Sequence, residues 1–234
     1  MMRRVGQVAR QDQWPKLRWV TDWSTIASFL TAGGTLVLAL ATFASIRSAN
    51  RSARISERAA RTAERSLLRA QRPLLVNSRL QDPQQKIQYP EGKWLTVDGG
   101  AAALEVTDEV VYIALSVRNV GTGLAVLHGW HVLVGLQRER SHPPLEEFTT
   151  QNLDIYVAPG DDGLWLSALR DPAADIFHAV AGAVEAGEPL VVNLLYGDFE
   201  GGQRVITQFS LRQARERWLA QAARHFNVDL PDPR

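Results

Sequence analysis

The sequence contains one histidine pair close enough to suggest metal chemistry, His128-Gly129-Trp130-His131. Zinc ligands on a helix usually lie four residues apart on one face, but here the two histidines are three apart in a strand-like run. Successive strand residues alternate between faces, so we expect the rings of His128 and His131 to point to opposite faces. Joint coordination would need a bulge at Gly129 and a carboxylate from elsewhere. The pattern therefore predicts no metal site and no cofactor. The alternative is that the C-terminal part of the chain, residues 73–234 (the head), binds a metal or hydrolyses a substrate through His128 and His131.

Other candidate catalytic patterns are incomplete. The sequence has no P-loop, no G-x-G-x-x-G and no nucleophile-elbow motif. Asp161-Asp162 is typical of a turn that bonds its own backbone. Asp198 and Glu200 offer two oxygen ligands, far fewer than the roughly six that calcium requires. The sequence therefore predicts that the protein is not an enzyme.

A glycine-rich loop follows one predicted strand. Asn119, Gly121 and Gly123 fall between two β-branched runs, where glycine permits a tight turn. Loops also carry binding sites, so a ligand loop at these three residues is the alternative interpretation.

The charge is distributed unevenly along the 234 residues. Residues 1–72 hold 13 Lys and Arg against four acids, a net charge of +9, and residues 73–234 hold 13 against 21, a net charge of −8. A basic segment of this kind commonly contacts an anionic membrane or nucleic acid. Cysteine is absent, which excludes disulfides, thiol catalysis and Cys-ligated zinc.

Residues 23–46 carry no charged side chain and predict a single transmembrane helix. At about 1.5 Å per residue the segment reaches about 36 Å, enough for a hydrocarbon core of about 30 Å. Trp14, Trp19 and Trp23 have the spacing of an interfacial aromatic belt, and residues 1–22 form a basic N-terminal tail. A cleaved signal peptide is the alternative, because Ala39-Leu40-Ala41 fits the small-x-small cleavage pattern.

The bases that flank this segment predict its orientation. Within about 15 residues the C-terminal side has five and the N-terminal side three, so the positive-inside rule places the C-terminal head in the cytoplasm. The five are Arg47, Arg51, Arg54, Arg58 and Arg61, and the three are Arg10, Lys16 and Arg18. We therefore expect a single-pass protein of the inner (plasma) membrane, with the five arginines contacting anionic headgroups or a partner.

Residues 47–72 predict a stalk helix that continues the span and stops at Pro73. Eight arginines spaced three or four apart share one helical face, and a second stripe of Ala with Ile46 and Leu67 has heptad spacing. The second stripe suggests a homo-oligomer through an Ala-rich coiled coil, against the alternative of a solvated stalk. No aromatic side chain is interleaved with the arginines, so nucleic acid is not expected as a partner.

The acidic remainder predicts a β-sandwich at residues 73–210 with two added helices. Strand-like runs separated by Gly, Pro, Asn and Asp occur at 74–80, 93–98, 104–107, 110–120, 124–135, 153–157, 164–166, 190–199 and 204–210. Asp171-Pro172 predicts the start of a helix that ends near Ala186. Leu211, Ala214, Trp218, Ala222 and Phe226 predict an amphipathic helix over 211–226, within a C-terminal segment 211–234.

The order of these segments resembles a group of uncharacterised bacterial single-pass membrane proteins. The resemblance rests on the uncharged span, the Arg/Ala-rich stalk, the motif AQRPLLV at 70–76 and the motif RNVGTGLA at 118–125. It implies an immunoglobulin-like head and brings no activity.

The sequence thus predicts a membrane-anchored, non-enzymatic protein of the mainly β class with added helices. Its acidic sandwich would be presented for interaction with an unidentified protein, on a bilayer with anionic headgroups. An exported envelope binding module is the alternative, in which the head lies outside the cytoplasm.

Overall fold

The computed structural model describes residues 23–136, 141–153 and 155–230 of the chain. The chain divides into two units, residues 1–61 and 62–234. Its secondary structure is mainly β with added helices, as the sequence predicts.

The first element, α1, is one uninterrupted helix over Trp23–Ala70. The hydroxyls of Thr31, Thr35 and Thr42 each donate to the carbonyl four residues earlier, at 2.8 to 2.9 Å. These bonds satisfy polar side chains inside the apolar half of the helix, residues 23–46. The helix ends just before Pro73, whose ring and missing N–H cannot continue it. The predicted continuity from residue 23 into the arginine-rich segment is confirmed.

Ten of the strands of unit 62–234 form one antiparallel sheet, and β2 with β3 forms a separate hairpin. The strands are β1 (Leu75–Asn77), β2 (Gln85–Gln88), β3 (Trp94–Val97), β4 (Ala101–Val106), β5 (Val111–Asn119), β6 (Ala125–Val134), β7 (Thr149–Thr150), β8 (Tyr156–Val157), β9 (Asp162–Leu169), β10 (Leu190–Gly197), β11 (Val205–Ala214) and β12 (Arg217–Asn227). The main path runs β1-β5-β4-β12-β11-β10-β6-β7, with β9 on β5 and β8 on β6.

The two halves of this sheet face each other across the main core. Ile113 and Trp165 come from β5 and β9, and Leu194 and Phe209 come from β10 and β11. The Trp165 ring meets the Trp130 ring of β6 edge-on at 5.8 Å, although β6 and β9 are not paired. Burial of these large side chains is the main source of stability in the head.

Both outer faces of the sheet are partly covered as well. The β2–β3 hairpin packs Ile87, Leu95 and Val97 on Tyr112 and Ala114 of β5. The outer face of the other half is covered by a 3₁₀ turn at Leu145–Glu147 and the residue after it. Leu145 and Phe148 pack there on Leu195, Ile206 and Phe226. Strand β5 is accordingly buried on both faces along almost its whole length.

The second helix, α2 (Asp175–Ala186), lies between β9 and β10 in sequence. It packs Phe177, Val180 and Ala183 into the main core. The helix begins later than Asp171-Pro172 predicts, because the Asp171 carboxylate accepts the Ala173 N–H at 3.0 Å and closes a turn first. Its end at Ala186 is as predicted. Gly187, at φ 67°, caps it through the Val184 carbonyl at 3.2 Å.

The amphipathic helix predicted over 211–226 is wrong. That segment holds the end of β11 and most of β12, joined at a two-residue turn where Arg215 has φ 58°. Trp218, Ala222 and Phe226 fit a helical repeat, yet Trp218, Ala220 and Ala222 also fit the strand repeat of two. A bulge at Ala223 then turns Phe226 to the opposite face, where it packs on Ile206.

Two further differences from the sequence prediction concern the strands. The short strands β2 and β7 were not predicted, since Gln-Lys-Ile-Gln and Thr-Thr carry little apolar signal. Strand β11 crosses the predicted boundary at 210/211, so the sheet continues to Asn227. The immunoglobulin-like assignment stays a prediction.

Candidate functional site

Residues 23–46, the apolar half of α1, expose most of their large apolar side chains. Phe29, Leu30 and Phe43 are 75%, 72% and 64% exposed. The stretch Ile26–Leu67 is long and apolar enough to cross a membrane, a criterion that a signal sequence also meets. Trp23 is exposed at the start of the helix, and Trp14 and Trp19 lie outside the described residues.

The five arginines that follow are all exposed on the same helix. Arg47, Arg51, Arg54, Arg58 and Arg61 recur every three or four residues, which places them along one side. Arg61 donates to the Glu57 carboxylate at 2.6 Å. Both side chains of that pair are more than half exposed, and such a pair contributes little to stability. These five side chains therefore form a cationic row on α1, directly after the apolar residues 23–46 of the same helix.

Asn119 is fully buried, with its polar atoms engaged by the backbone. Its amide oxygen accepts the N–H groups of Leu74 at 3.1 Å and Gly121 at 3.0 Å. Its amide nitrogen donates to the carbonyls of Gly123 at 2.7 Å and Val157 at 3.1 Å. These four bonds use the full capacity of the side chain. The loop proposed as a ligand site is thus held in place by hydrogen bonds from the Asn119 side chain to the backbone.

Gly121 and Gly123 allow this loop to lie directly against the segment that leaves α1. A Cβ on Gly121 would collide with the Arg72 carbonyl oxygen, and one on Gly123 with the Gln71 carbonyl oxygen. Thr122 adds a hydroxyl bond to the Ala70 carbonyl. Both glycines therefore serve a close backbone approach.

His128 and His131 lie on the same face of β6, which corrects the expectation of opposite faces. The pairing of β6 with β10 shifts between Leu195 and Tyr196, leaving His128 as a bulged residue. Leu127 and Trp130 consequently both enter the main core, and the two histidines both lie on the outer side. A bulge was the condition named above for the two rings to share a face, and no residue pattern in this strand predicts that one forms.

The surroundings of the two histidines are poor in ligands. His131 Nε2 lies 3.5 Å from Glu147 Oε2. Burial lowers the pKa of both imidazoles, an effect to which Arg204 adds at His128. Among the residues that the structure describes, no group of three His, Cys, Asp or Glu side chains is placed to hold a metal.

A row of three polar side chains, two of them buried and one partly buried, crosses the same outer face. His131, Asn193 and Gln208 are cross-strand neighbours on β6, β10 and β11. Gln208 Nε2 lies 3.4 Å from Asn193 Oδ1, whereas Asn193 Nδ2 and His131 Nδ1 have no hydrogen-bond partner within the described parts of the chain. This row was not predicted from the sequence, although an Asn inside the apolar run Leu190–Gly197 is a visible signal.

A groove of about 310 Å³ lies where two strand edges approach each other. Residues 149–153 form one side, residues 166–168 with Arg170 form the other, and Trp130 also lines it. Gln151 crosses between the sides, accepting the Trp165 indole N–H at 3.1 Å and donating to the Leu166 carbonyl at 3.2 Å. Sequence reasoning could not find this groove, because its two sides are brought together only by the sheet pairing.

Comparison with protein-family models, with curated proteins and with solved structures finds no match.

Proposed function

We propose that this chain is a single-pass membrane protein of the inner membrane that holds an acidic, non-enzymatic β domain at the cytoplasmic face for interaction with another protein. The observation that carries the proposal is the apolar half of α1, which is exposed around its whole circumference. A helix that is apolar all round is stable inside a lipid bilayer or a large core, and no part of the apolar window of α1 is buried among the residues that the structure describes.

The energetic argument rests on the exposed apolar area. Removing apolar surface from water is worth about 25 cal/mol per Å², so a helix with exposed Phe29, Leu30, Leu38 and Phe43 is strongly driven out of water. A bilayer accepts the helix because all its backbone groups bond internally. The threonine hydroxyls that donate to the helix backbone also support this placement.

The arginine row supports the proposed orientation. Lys and Arg next to a span are retained on the cytoplasmic side, where anionic lipids attract each base by about 1 kcal/mol. Arg47 through Arg61 supply five such bases within four helical turns. Anionic headgroups are thus the proposed contacts of the row, and pairing of two copies through the Ala stripe is a further proposal.

The net charge of the head supports an interaction role. Residues 73–234 carry a net charge of −8, which would attract a basic partner. An immunoglobulin-like topology and a bacterial single-pass family are part of the proposal, and both rest on the sequence motifs given above.

Membrane insertion is tested by flotation of the full chain on a density gradient after a high-salt wash. Wild-type chain should float with lipid. The triple variant Leu36→Arg, Leu38→Arg and Leu40→Arg should not float, because each arginine at the centre of a span costs roughly 3 kcal/mol. Leu80→Arg is the matched control, since Leu80 is an exposed leucine of the head. A wild-type chain that fails to float would overturn the proposal.

Orientation is tested with cytoplasm-active and export-active reporters fused after Arg234. Activity of the cytoplasmic reporter alone supports the proposal. Activity of the exported reporter alone would favour the envelope module. Mass spectrometry of the mature chain then separates an anchor from a signal peptide, because cleavage after Ala41 leaves a chain that starts at Thr42.

A further inference from the structure

We propose that the end of α1 is joined to the head by a rigid clasp, so that a rotation or tilt of the helix end carries the head with it. The last turns of the helix, residues 62–70, belong to the same unit as the head. The clasp consists of the connection 71–74, strand β1 and the loop 119–123. The inference goes beyond the proposed function, because it concerns how the head moves on its helix.

The connection between α1 and β1 has only four residues, 71–74. It contains neither glycine nor serine, the residues that make a linker flexible, and the ring of Pro73 restricts one of its backbone angles. The Gln71 N–H donates to the Leu67 carbonyl at 3.1 Å, which extends the helical bonding into the connection. The connection therefore has little freedom to bend.

The loop between β5 and β6 lies directly against the end of the helix. Thr122 donates twice, from its N–H to the Arg72 carbonyl at 3.3 Å and from its hydroxyl to the carbonyl of Ala70, the last helical residue. A Cβ on Gly123 would collide with the Gln71 carbonyl oxygen, so the two backbones are in close contact. This contact prevents the helix end from moving towards the loop.

Strand β1 is held along both of its edges. One edge pairs with β5 through three residues. At the other edge the Leu75 N–H donates to the Tyr196 hydroxyl at 3.0 Å, and the Thr207 hydroxyl donates to the Leu75 carbonyl at 3.3 Å. Asn77 Oδ1 accepts the Ala222 N–H at 3.2 Å. Side chains and backbone from β10, β11 and β12 thus hold the strand that follows the helix.

The bonds at Leu75 lie inside the main core. Leu75, Tyr196 and Thr207 are all fully buried. The Tyr196 and Thr207 hydroxyl oxygens lie 2.8 Å apart, so the two side chains and the backbone of Leu75 form one network. Detaching β1 would leave these buried polar groups without partners and would expose Leu75, which belongs to the core. The clasp therefore opens only when the core opens.

A rigid connection of this kind transmits motion. Coupling between distant parts of a protein is carried by rigid elements and packed side chains, and the clasp links the helix end to β5, β10, β11 and β12 through both. A flexible linker of four residues would instead vary in length by about 10 Å and leave the head free to turn. The clasp thus fixes which face of the head is presented for a given orientation of the helix end.

The test measures distances between pairs of spin labels on the full chain in detergent. The chain has no cysteine, so two introduced cysteines are the only labelling sites. Ser66→Cys on the helix end is combined with Thr96→Cys or with Gln213→Cys, both at exposed positions of the head. Thr96→Cys with Gln213→Cys gives a reference pair within the head. Labelled chain is diluted with excess unlabelled chain, so that only distances within one copy are measured.

We expect both helix-to-head distance distributions to be as narrow as that of the reference pair. Gly123→Ala should widen them roughly twofold or more without changing the reference pair, because its Cβ forces the loop away from Gln71 and frees the connection. Gly182→Ala is the matched control and should keep the wild-type widths, because a Cβ on Gly182 has no atom within 4 Å.

Hydrogen exchange of the wild-type chain supplies a readout that stays valid if Gly123→Ala unfolds the head. The Leu75 amide should exchange as slowly as the amides of β5, since both open only with the core. Exchange of Leu75 at the rate of an exposed loop would overturn the inference. So would wild-type helix-to-head distributions broader than the reference, or widths that Gly123→Ala leaves unchanged in a folded head. Flotation and reporter activity do not depend on the clasp, so failure of this inference is distinct from failure of the proposed function.

Discussion

At the scale of single residues, Asn119 shows how one side chain can organise a junction. Its four hydrogen bonds join the segment after α1 to the β5–β6 loop and to the carbonyl of Val157 in β8. Asn119→Ala leaves two backbone N–H groups and two carbonyls without these partners. Since each unsatisfied buried group costs about 1 to 3 kcal/mol, the head should lose at least about 3 kcal/mol of stability.

This loss is measured by chemical unfolding of the full chain in detergent, followed by tryptophan fluorescence. Asn152→Ala is the matched control, because Asn152 is exposed and should change stability by less than about 0.5 kcal/mol. Equal effects of the two substitutions would contradict the assigned role of Asn119.

The two histidines of β6 predict a pH dependence of stability. Burial lowers the pKa of His128 and of His131, with Arg204 adding to the effect at His128 and the carboxylates of Asp198 and Glu147 opposing it. The unfolded chain therefore binds more protons than the folded one. Stability should be complete above about pH 6.5 and should fall as the pH drops below that value.

The measurement compares the melting temperature of wild type with that of the double variant His128→Gln and His131→Gln across this range. Between about pH 7 and pH 5.5, where carboxylates do not yet titrate, the melting temperature of the variant should fall less than that of the wild type. A decline of the same size in both proteins would show that other groups cause it.

At the scale of elements, the β11–β12 hairpin predicts a stabilising substitution. Arg215 occupies the first of two turn residues with φ 58°, where a type II′ turn favours glycine. Arg215→Gly should raise the stability of the head by about 0.5 to 1 kcal/mol by removing the strain of a positive φ. Glu216→Gly, at the neighbouring position with negative φ, should not stabilise it. The free energy of unfolding of both variants gives the comparison.

The same hairpin shows why the fold could be predicted only in part. Strands with a clear repeat of two, such as 124–135, were predicted close to their observed bounds. Alanine-rich β12 has a helical preference in isolation, and only its pairing with β11 and β4 overrides that preference. The groove and the histidine face were unpredictable for a related reason, since each depends on which strands become neighbours and where a bulge falls.

At the scale of the whole molecule, the division of charge between residues 1–72 and 73–234 predicts how orientation can be changed. Arg47→Gln, Arg51→Gln and Arg54→Gln together leave two bases on the C-terminal flank of the span against three on the N-terminal flank. The positive-inside bias then reverses, so a reporter after Arg234 should change from cytoplasmic to exported activity. The matched control is Arg79→Gln, Arg212→Gln and Arg215→Gln, which removes the same charge from exposed positions of the head. Because bases far from the span have little influence on insertion, the control should keep the wild-type orientation. Reversal in both triple variants would mean that net charge, rather than the arginine row beside the span, determines which side of the membrane the head occupies.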